Sequence, residues 1–262
     1  MDQIGPIPLT AYATAYHRML ETQSDTPLIV DPYAELLVKS IDPKNHSFSF
    51  QRRGYTIVRT HFMDLRICLW LSTHPTGQLV LLGAGLDTRA YRLECIPSTA
   101  SIFELDMGDT ITYKTDILKE IEPMCQLHRI AVNLTEDTWI EKLETTGLDT
   151  SRPILWIMEG LLYYLEQTTA RKLLEGIKTL SAVHSALLAD ICVPGLVGVN
   201  FGLFLRYFKW GLSLDEVIDF FAASGWSVRA LYADDVDQGR DVGQHGMIFV
   251  YSDQLDTTSV DS

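Results

Sequence analysis

The chain has 262 residues, 47% of them hydrophobic, and carries a formal net charge of −13. This length and apolar content are sufficient for one large α/β domain. Asp and Glu outnumber Lys and Arg by 34 to 21, which disfavours nucleic acid or an anionic membrane as a partner and favours a small molecule.

The remaining composition predicts a soluble cytoplasmic protein without a metal site. No apolar run is long enough to span a membrane, and the first residues lack the basic start and apolar core of a secretory signal. Cys68, Cys95, Cys125 and Cys192 form no CxxC pair and have no histidine partners at metal-ligand spacing. We expect all four cysteines to be reduced and buried.

The N-terminal part of the chain, residues 1–75, is predicted to be a helical cap. Apolar residues recur at helical spacing in three segments, Tyr12–Glu21, Pro32–Ile41 and Tyr55–Ser72. The Asp31-Pro32 pair before the second segment is typical of a helix start. No linker separates these segments from the rest, so we expect a single domain over residues 1–262.

Residues 76–252 alternate short apolar runs with helical patterns, which is typical of a doubly wound, mostly parallel sheet. The seven predicted strands are Leu79–Gly83, Ser101–Asp106, Leu127–Leu134, Ile154–Met158, Ala186–Ile191, Ser227–Tyr232 and Met247–Tyr251. No helical pattern separates the last two strands, so we expect a hairpin and an antiparallel final strand. Residues 253–262 are predicted to be a flexible polar tail.

A segment rich in glycine and aromatic residues, 194–212, is predicted to be a lid after the fifth strand of the sheet. Its aromatic residues are Phe201, Phe204, Tyr207, Phe208 and Trp210. They either form the wall of a pocket for a flat, apolar acceptor or only pack the lid onto the domain, and we favour the wall. Arg206 and Lys209 either attract an acidic substrate or are solvated on one face.

The first predicted strand continues into a glycine turn with an acid inside it. Gly83 and Gly85 permit a tight turn and a close approach of ligand to backbone at Ala84. Dinucleotide loops usually carry a third glycine where Thr88 stands, and Asp87 would repel a pyrophosphate. S-adenosylmethionine brings an ammonium and a sulfonium instead, so this loop favours that cofactor.

Polar residues also follow the next three strands, where open α/β sheets bind their ligands. Either Glu104 or Asp106 is expected to accept hydrogen bonds from the ribose hydroxyls of the cofactor. Asn133 and Leu134 are expected to bind adenine, although Asn133 is equally suited to cap a helix before Glu136. Glu159 would lie beside the transferring group.

Four phrases of the sequence carry this pattern, namely Asp31-Pro32-Tyr33-Ala34-Glu35, Leu82-Gly83-Ala84-Gly85-Leu86-Asp87-Thr88-Arg89-Ala90-Tyr91, Glu104-Leu105-Asp106 and Glu159-Gly160-Leu161-Leu162-Tyr163-Tyr164-Leu165. Together they resemble the leucine carboxyl methyltransferase and polyketide O-methyltransferase family. The resemblance spans roughly Asp31 to Asp237 and implies a class I, Rossmann-like methyltransferase fold that uses S-adenosylmethionine.

The resemblance also implies roles for individual residues. Arg59 matches the arginine that binds the cofactor carboxylate, Gly83 the loop glycine, Asp106 the ribose acid and Glu159 the acid after the fourth strand. Asn133-Leu134 stands where the family usually has Asp-Leu, and we expect the amide to weaken or alter cofactor binding without abolishing it. The rest of the loop that would contact the cofactor is Ala84, Gly85, Asp87 and Arg89.

Methyl transfer from a sulfonium requires alignment and exclusion of water more than covalent chemistry. A carboxylate acceptor is already ionised at neutral pH, whereas a phenol or alcohol needs a general base. The candidate catalytic residues are His61, which could instead be a packed or surface histidine, and Tyr164, which could orient the acceptor or fill the core. Asp190, at the end of the fifth strand, could contact substrate or cap a turn.

Three functions are therefore compared. The first is a methyltransferase acting on a carboxylate or hydroxyl of a small metabolite, including polyketide or peptide natural products. The second is a nicotinamide-dependent oxidoreductase, which the missing third glycine, Asp87 and the expected antiparallel strand disfavour. The third is a non-catalytic protein that binds S-adenosylmethionine, which Asn133 and the weak candidates for a base would favour. No GxSxG or GxxxxGK[ST] motif occurs, which disfavours hydrolases and kinases.

Overall fold

A computed structural model describes residues 3–4, 7–39, 53–200 and 204–256 of the chain. The helices are α1 (Leu9–Thr22), α2 (Ala34–Val38), α3 (Arg53–Thr73), α4 (Arg89–Arg92), α5 (Gly108–Leu118), α6 (Thr138–Thr145), α7 (Gln167–Thr179) and α8 (Leu214–Ala222). The strands are β1 (Gln3–Ile4), β2 (Ile7–Pro8), β3 (Gln78–Leu82), β4 (Ser101–Asp106), β5 (Gln126–Ala131), β6 (Ile154–Met158), β7 (Ala186–Cys192), β8 (Val228–Tyr232) and β9 (Met247–Ser252).

Seven of these strands form one sheet in the order β5-β4-β3-β6-β7-β9-β8. The pairs from β5 to β7 are parallel, whereas β9 is antiparallel to both β7 and β8. The chain order reverses between β3 and β6, and such a reversal opens a crevice at the carboxyl ends of the strands. The predicted sheet class and the antiparallel final strand are confirmed.

The sheet is covered by helices on both faces because its central strands are apolar throughout. All five residues of β3 are buried, with Leu79 and Leu81 on one face and Val80 and Leu82 on the other. The first face packs against the N-terminal helices α1 to α3, and the second packs against α6, α7 and α8. The helical cap therefore lies over one face of the sheet.

Several boundaries differ from the sequence expectation, each for a local reason. The strand predicted over Leu127–Leu134 is β5, and it ends at Ala131, because Asn133 accepts hydrogen bonds from Thr135 and turns the chain toward α6. The second helix begins at Ala34, where Asp31 accepts the N–H groups of Tyr33 and Ala34 at 3.1 Å each. The end of the segment predicted as Pro32–Ile41 lies outside the described residues.

The predicted tail begins as ordered structure. Asp253–Leu255 forms a 3-10 turn in which Leu255 is fully buried, and Arg229 pairs with Asp253 and Asp256. The expectation of a flexible segment was wrong for these residues, since an apolar side chain and two carboxylates anchor them. Residues 257–262 lie outside the described part of the chain.

The cysteine expectation was wrong for one pair. Cys68 of α3 and Cys95, shortly after α4, form a disulfide across 27 residues, with their Cα atoms 5.5 Å apart. The sequence shows no spacing signal for it, because the bond depends on how α3 packs against the segment after the glycine turn. Cys125 and Cys192 are free and buried, as predicted. No helix among the described residues has the length and hydropathy of a membrane span.

Candidate active site

A cavity of about 520 Å³ opens at the carboxyl ends of β3, β4, β5 and β6. Its floor is the set of turns that follow these strands, and α1 and α3 of the N-terminal cap cover it. Its lining includes the glycine turn and the polar residues around it. The lining also includes aromatic and apolar residues such as Tyr164, Phe204, Phe208 and Met247.

The glycine turn follows β3 directly and lines the cavity. Gly83 has φ +69° and Gly85 has φ +50°, in the left-handed region that favours glycine. A Cβ on Gly83 would lie 2.9 Å from the Leu161 side chain. The amides of Gly83 and Ala84 both donate to the carbonyl oxygen of Leu105, at 2.9 and 3.0 Å, so the turn is fixed against the end of β4.

The structure distinguishes the two acids of β4. Asp106 lines the cavity and accepts the N–H groups of Gly85 and Met107 at 2.7 Å each. Glu104 does not line it. Glu104 is fully buried two residues earlier in the strand, where the Nζ of Lys114 lies 2.8 Å away and the Nε of Arg129 lies 3.0 Å away. This placement argues against Glu104 as a cofactor ligand and favours Asp106.

The pKa of the Asp106 carboxyl group is perturbed by its surroundings. Burial raises its pKa, while the hydrogen bonds from Gly85 and Met107 and the charge of Lys114 oppose the shift. Both carboxylate oxygens keep capacity for a further hydrogen bond from a ligand hydroxyl.

Asn133 and Leu134 both line the cavity, next to the end of β5. The Asn133 side chain accepts from the N–H and the hydroxyl of Thr135, at 3.1 and 2.8 Å, and donates to Glu136 at 2.8 Å. It therefore stabilises the turn before α6, which begins at Thr138. The N-cap of α6 is Asp137, so the expectation that Asn133 caps this helix was wrong. Asn133 forms the turn before the helix and lines the cavity, and its contact with adenine stays a prediction.

Glu159 bridges two arginines at the end of β6. Its carboxylate accepts from the Nε of Arg59 at 3.1 Å and pairs with the Nη2 of Arg89 at 2.7 Å. Burial raises the pKa of Glu159, but the charges of Arg89 and Arg59 outweigh this effect and lower the pKa to about 2. Glu159 is therefore ionised at neutral pH and is unsuited to act as a general base.

Arg89 and Asp87 line the cavity but neutralise each other. Asp87 accepts the backbone N–H of Arg89 at 2.8 Å and also pairs with its guanidinium. The Nε of Arg89 donates to Asp64 at 2.6 Å. With Glu159 on its third nitrogen, the Arg89 guanidinium is occupied by three carboxylates, and only 1% of the residue is exposed. Arg89 thus holds the Asp87 side chain of the glycine turn in place.

The two candidate catalytic residues have different positions. His61 is half-buried on α3, outside the cavity, where burial lowers its pKa and Asp64 opposes the shift. This placement argues against contact with an acceptor. Tyr164 lines the cavity and packs against Tyr163 and Phe208, at ring-centroid distances of 4.9 and 5.3 Å. Burial raises the pKa of the Tyr164 phenol, so this group is a poor base at neutral pH.

Some aromatic residues of the segment 194–212 line the cavity, and another packs this segment onto the rest of the domain. Phe204 and Phe208 line the cavity. Trp210 instead packs against Phe220 of α8 and donates its indole N–H to the Leu165 carbonyl at 3.0 Å. Phe201 lies outside the described residues. Of the two basic lid residues, Lys209 pairs with Glu166 at 2.8 Å and Arg206 stacks on the Tyr207 ring.

Sequence reasoning missed two elements that complete the cavity. Thr10, Thr14 and Arg18 of α1 line it, as do Val242, Gly246 and Met247 around the start of β9. Thr10, Thr14 and Arg18 recur every four positions along α1 and so share one face of the helix, which is a signal that could have indicated a polar face toward a ligand. No comparable pattern marks the segment before β9.

Comparisons with known proteins agree with this geometry. The leucine carboxyl methyltransferase family matches residues 11–178. A relative from Mycobacterium sp. (strain KMS), named "Putative S-adenosyl-L-methionine-dependent methyltransferase", is 36% identical over 204 residues, covering 71% of this chain and 67% of the relative. A relative of the same name from Saccharopolyspora erythraea is 31% identical over 253 residues, covering 87% of this chain and 85% of the relative.

The fold is similar to a solved structure described as a "putative methyltransferase" from Thermobifida fusca. The TM-score is 0.62 at 14% identity, with 95% of this chain and 96% of that chain covered. The sheet order, the glycine turn and the sequence matches agree, so the nicotinamide alternative is set aside. The chain belongs to the leucine carboxyl methyltransferase family and is a methyltransferase whose cofactor is S-adenosylmethionine.

Proposed function

We propose that this methyltransferase acts on an oxygen of a small apolar acid, with a carboxylate as the methyl acceptor. The observation that carries the proposal is the state of the titratable side chains around the cavity. Among the described lining residues, Glu159 has a pKa lowered to about 2, Asp87 is paired with Arg89, and the tyrosine phenols have raised pKa values. A carboxylate needs none of them as a base, because it is ionised already.

The lining residues in and around the glycine turn fit the cofactor. Gly83 lines the cavity with φ +69° and carries no side chain, so the cofactor can approach the backbone of the turn closely. Among the described residues, the Nη2 of Arg59 has no hydrogen-bond acceptor although Arg59 is only 6% exposed, and it suits the methionine carboxylate. Asp106 would accept from the ribose hydroxyls, and Asn133 and Leu134 would contact adenine.

When bound, the cofactor supplies an electrophilic methyl group on its sulfonium. The chain's own task is then to hold the acceptor in line and to exclude water. Glu159 remains anionic between Arg59 and Arg89 and holds the end of β6 in place. Phe204, Phe208 and Met247 supply an apolar wall for the acceptor, and the hydroxyl of Tyr164 faces the same space. Products of polyketide or peptide biosynthesis with a free carboxyl are the acceptor class that this wall suits.

A hydroxyl acceptor is the second candidate, because the Tyr164 hydroxyl faces the cavity and has no hydrogen-bond partner among the described residues. It could orient a phenol or alcohol. The raised pKa of Tyr164 disfavours this function, since such an acceptor needs its proton removed.

The test compares aryl carboxylic acids with phenols of the same ring system, using labelled S-adenosylmethionine over a pH range. For a carboxylate acceptor we expect kcat to be flat from about pH 6 to 9, because carboxyl groups ionise near pH 4. Methylation of phenols alone, with a rate that rises with pH, would overturn the proposal. Binding of the cofactor without turnover of any acid would favour the non-catalytic alternative.

A further inference from the structure

A carboxylate behind the cavity contacts four of its lining residues. Asp190 lies within β7 and is fully buried. Its Oδ2 accepts the hydroxyls of Tyr55 and Tyr163, the latter at 2.9 Å, together with the Nη1 of Arg59 at 3.1 Å. Its Oδ1 accepts the N–H of Gly160 at 2.6 Å. Asp190 itself does not line the cavity, so it acts through these neighbours.

These contacts fix the orientation of Arg59. Its Nη1 is bound to Asp190 and to the hydroxyl of Tyr163 at 3.2 Å, and its Nε is bound to Glu159 at 3.1 Å. The guanidinium also lies over the Tyr55 ring, 5.3 Å from its centre. Because a guanidinium is planar and rigid, holding two nitrogens determines where the third one points.

Gly160 completes the arrangement. It has φ +67°, and a Cβ there would lie 2.8 Å from the Nη1 of Arg59. The Asp190 carboxylate therefore holds both Arg59 and the turn that Arg59 packs against. In addition, the phenols of Tyr55 and Tyr163 point their protons at Asp190 and away from the cavity, whereas Tyr164 is not bound to it.

We propose that Asp190 is a positioning residue that directs the Nη2 of Arg59 toward the carboxylate of S-adenosylmethionine. Because Asp190 accepts hydrogen bonds from the hydroxyls of Tyr55 and Tyr163, it also leaves the hydroxyl of Tyr164 as the one that faces the acceptor. The inference rests on the proposed role of Arg59. It differs from a purely structural role, because loss of Asp190 should weaken binding only of ligands that carry the amino-acid carboxylate of the cofactor.

The test uses two nucleosides that differ at that end. S-adenosylhomocysteine carries the amino-acid carboxylate, and 5′-deoxy-5′-methylthioadenosine lacks it. For Asp190→Asn, calorimetry should show affinity for S-adenosylhomocysteine falling about 10- to 100-fold, as expected when a charged partner of a ligand-binding group is lost. Affinity for methylthioadenosine should be unchanged. Equal losses for both nucleosides, or no loss for either, would overturn the proposal.

Two further variants separate the possible failures. Arg59→Ala should abolish the preference for S-adenosylhomocysteine over methylthioadenosine; if it does not, the proposed role of Arg59 fails. If Arg59→Ala behaves as expected and Asp190→Asn keeps the preference, only the Asp190 inference fails. Glu104→Gln is the matched control, since it also removes a buried strand carboxylate paired with cations, and it should leave the preference intact.

Tyr163→Phe keeps the test decisive if Asp190→Asn does not fold. This change removes one hydroxyl from the Arg59 contact and leaves the aspartate in place. We expect a smaller loss of affinity, again confined to S-adenosylhomocysteine. An equal loss for both nucleosides would contradict the positioning role.

Discussion

Asp106 is the residue at which cofactor affinity should be most sensitive to loss of charge. Its carboxylate is held toward the cavity by the amides of Gly85 and Met107. Asp106→Asn keeps one acceptor oxygen but would remove the charge-assisted hydrogen bonds that we propose between Asp106 and the ribose. We expect S-adenosylmethionine to bind more weakly by about 1.5 to 3 kcal/mol in calorimetry. Glu104→Gln, two residues earlier and outside the cavity, should bind normally, and unchanged binding by Asp106→Asn would remove it from the site.

Glu159 should make stability depend on pH in acid. Its pKa is lowered to about 2 in the folded chain, so its stabilising effect is complete above the unfolded pKa near 4.5. The effect is lost as pH falls from that value through the folded pKa. Between these two pKa values, protonation of Glu159 lowers the free energy of unfolding by about 3 kcal/mol. Urea titrations between pH 6 and about pH 3 should therefore show a steeper loss for wild type than for Glu159→Gln.

A matched surface variant controls for general acid effects. The Glu166 side chain is 67% exposed and pairs with Lys209 at the surface. Exposed pairs contribute little to stability, so Glu166→Gln should keep the wild-type dependence on pH. If Glu159→Gln also kept that dependence, the two-arginine site would not be the cause of the shift.

At the scale of elements, the sheet could be predicted because its signals are local. Central parallel strands are apolar throughout, and the predicted bounds of β4 and β6 agree with the structure. The end of β5 could not be predicted, because Val132 still donates to the carbonyl of Asp106 before Asn133 turns the chain. An apolar run alone does not indicate where side-chain hydrogen bonds replace the pairing of strands.

In the candidate site, the positions of residues at strand ends could be predicted from the sequence, whereas their contacts with other elements could not. Gly83 and Glu159 directly follow strands and Asp106 is the last residue of β4, so their position at one edge of the sheet follows from the strand pattern. The partners of these residues do not follow from it. Asp190 and Arg59 are 131 positions apart in the chain, and their contact depends on how α3 packs over β7. Helix α1 was predicted, but its contact with the cavity was not, since that contact is a tertiary one.

At the scale of the whole molecule, an acidic chain concentrates arginines around its cavity. Arg18, Arg59, Arg89 and Arg92 all line it, although the net charge is −13. Each is paired with at least one carboxylate, from Asp31, Asp64, Asp87, Glu159 or Asp190. Such buried networks cost desolvation and specify geometry more than they add stability. Stability must then come mainly from the two apolar faces of the sheet and from the covalent link between α3 and the segment after α4.

The disulfide between Cys68 and Cys95 should contribute measurably to the stability of the whole domain. Closing a loop of 27 residues in the unfolded chain corresponds to about 3.5 kcal/mol in the free energy of unfolding. Urea unfolding with and without reductant should differ by this amount for wild type, and the Cys68→Ser/Cys95→Ser variant should not respond to reductant.

A count of thiols checks the bond independently of stability. In denaturant without reductant, Cys125 and Cys192 should react with a thiol reagent, and Cys68 and Cys95 should react only after reduction. Four reactive thiols before reduction would show that the link is not formed in the purified protein.

In that case the packing of α3 against the segment after α4 would depend on Asp64, which holds both Arg89 and Arg92 at the same contact. Asp64→Asn would then be expected to lower the free energy of unfolding equally with and without reductant.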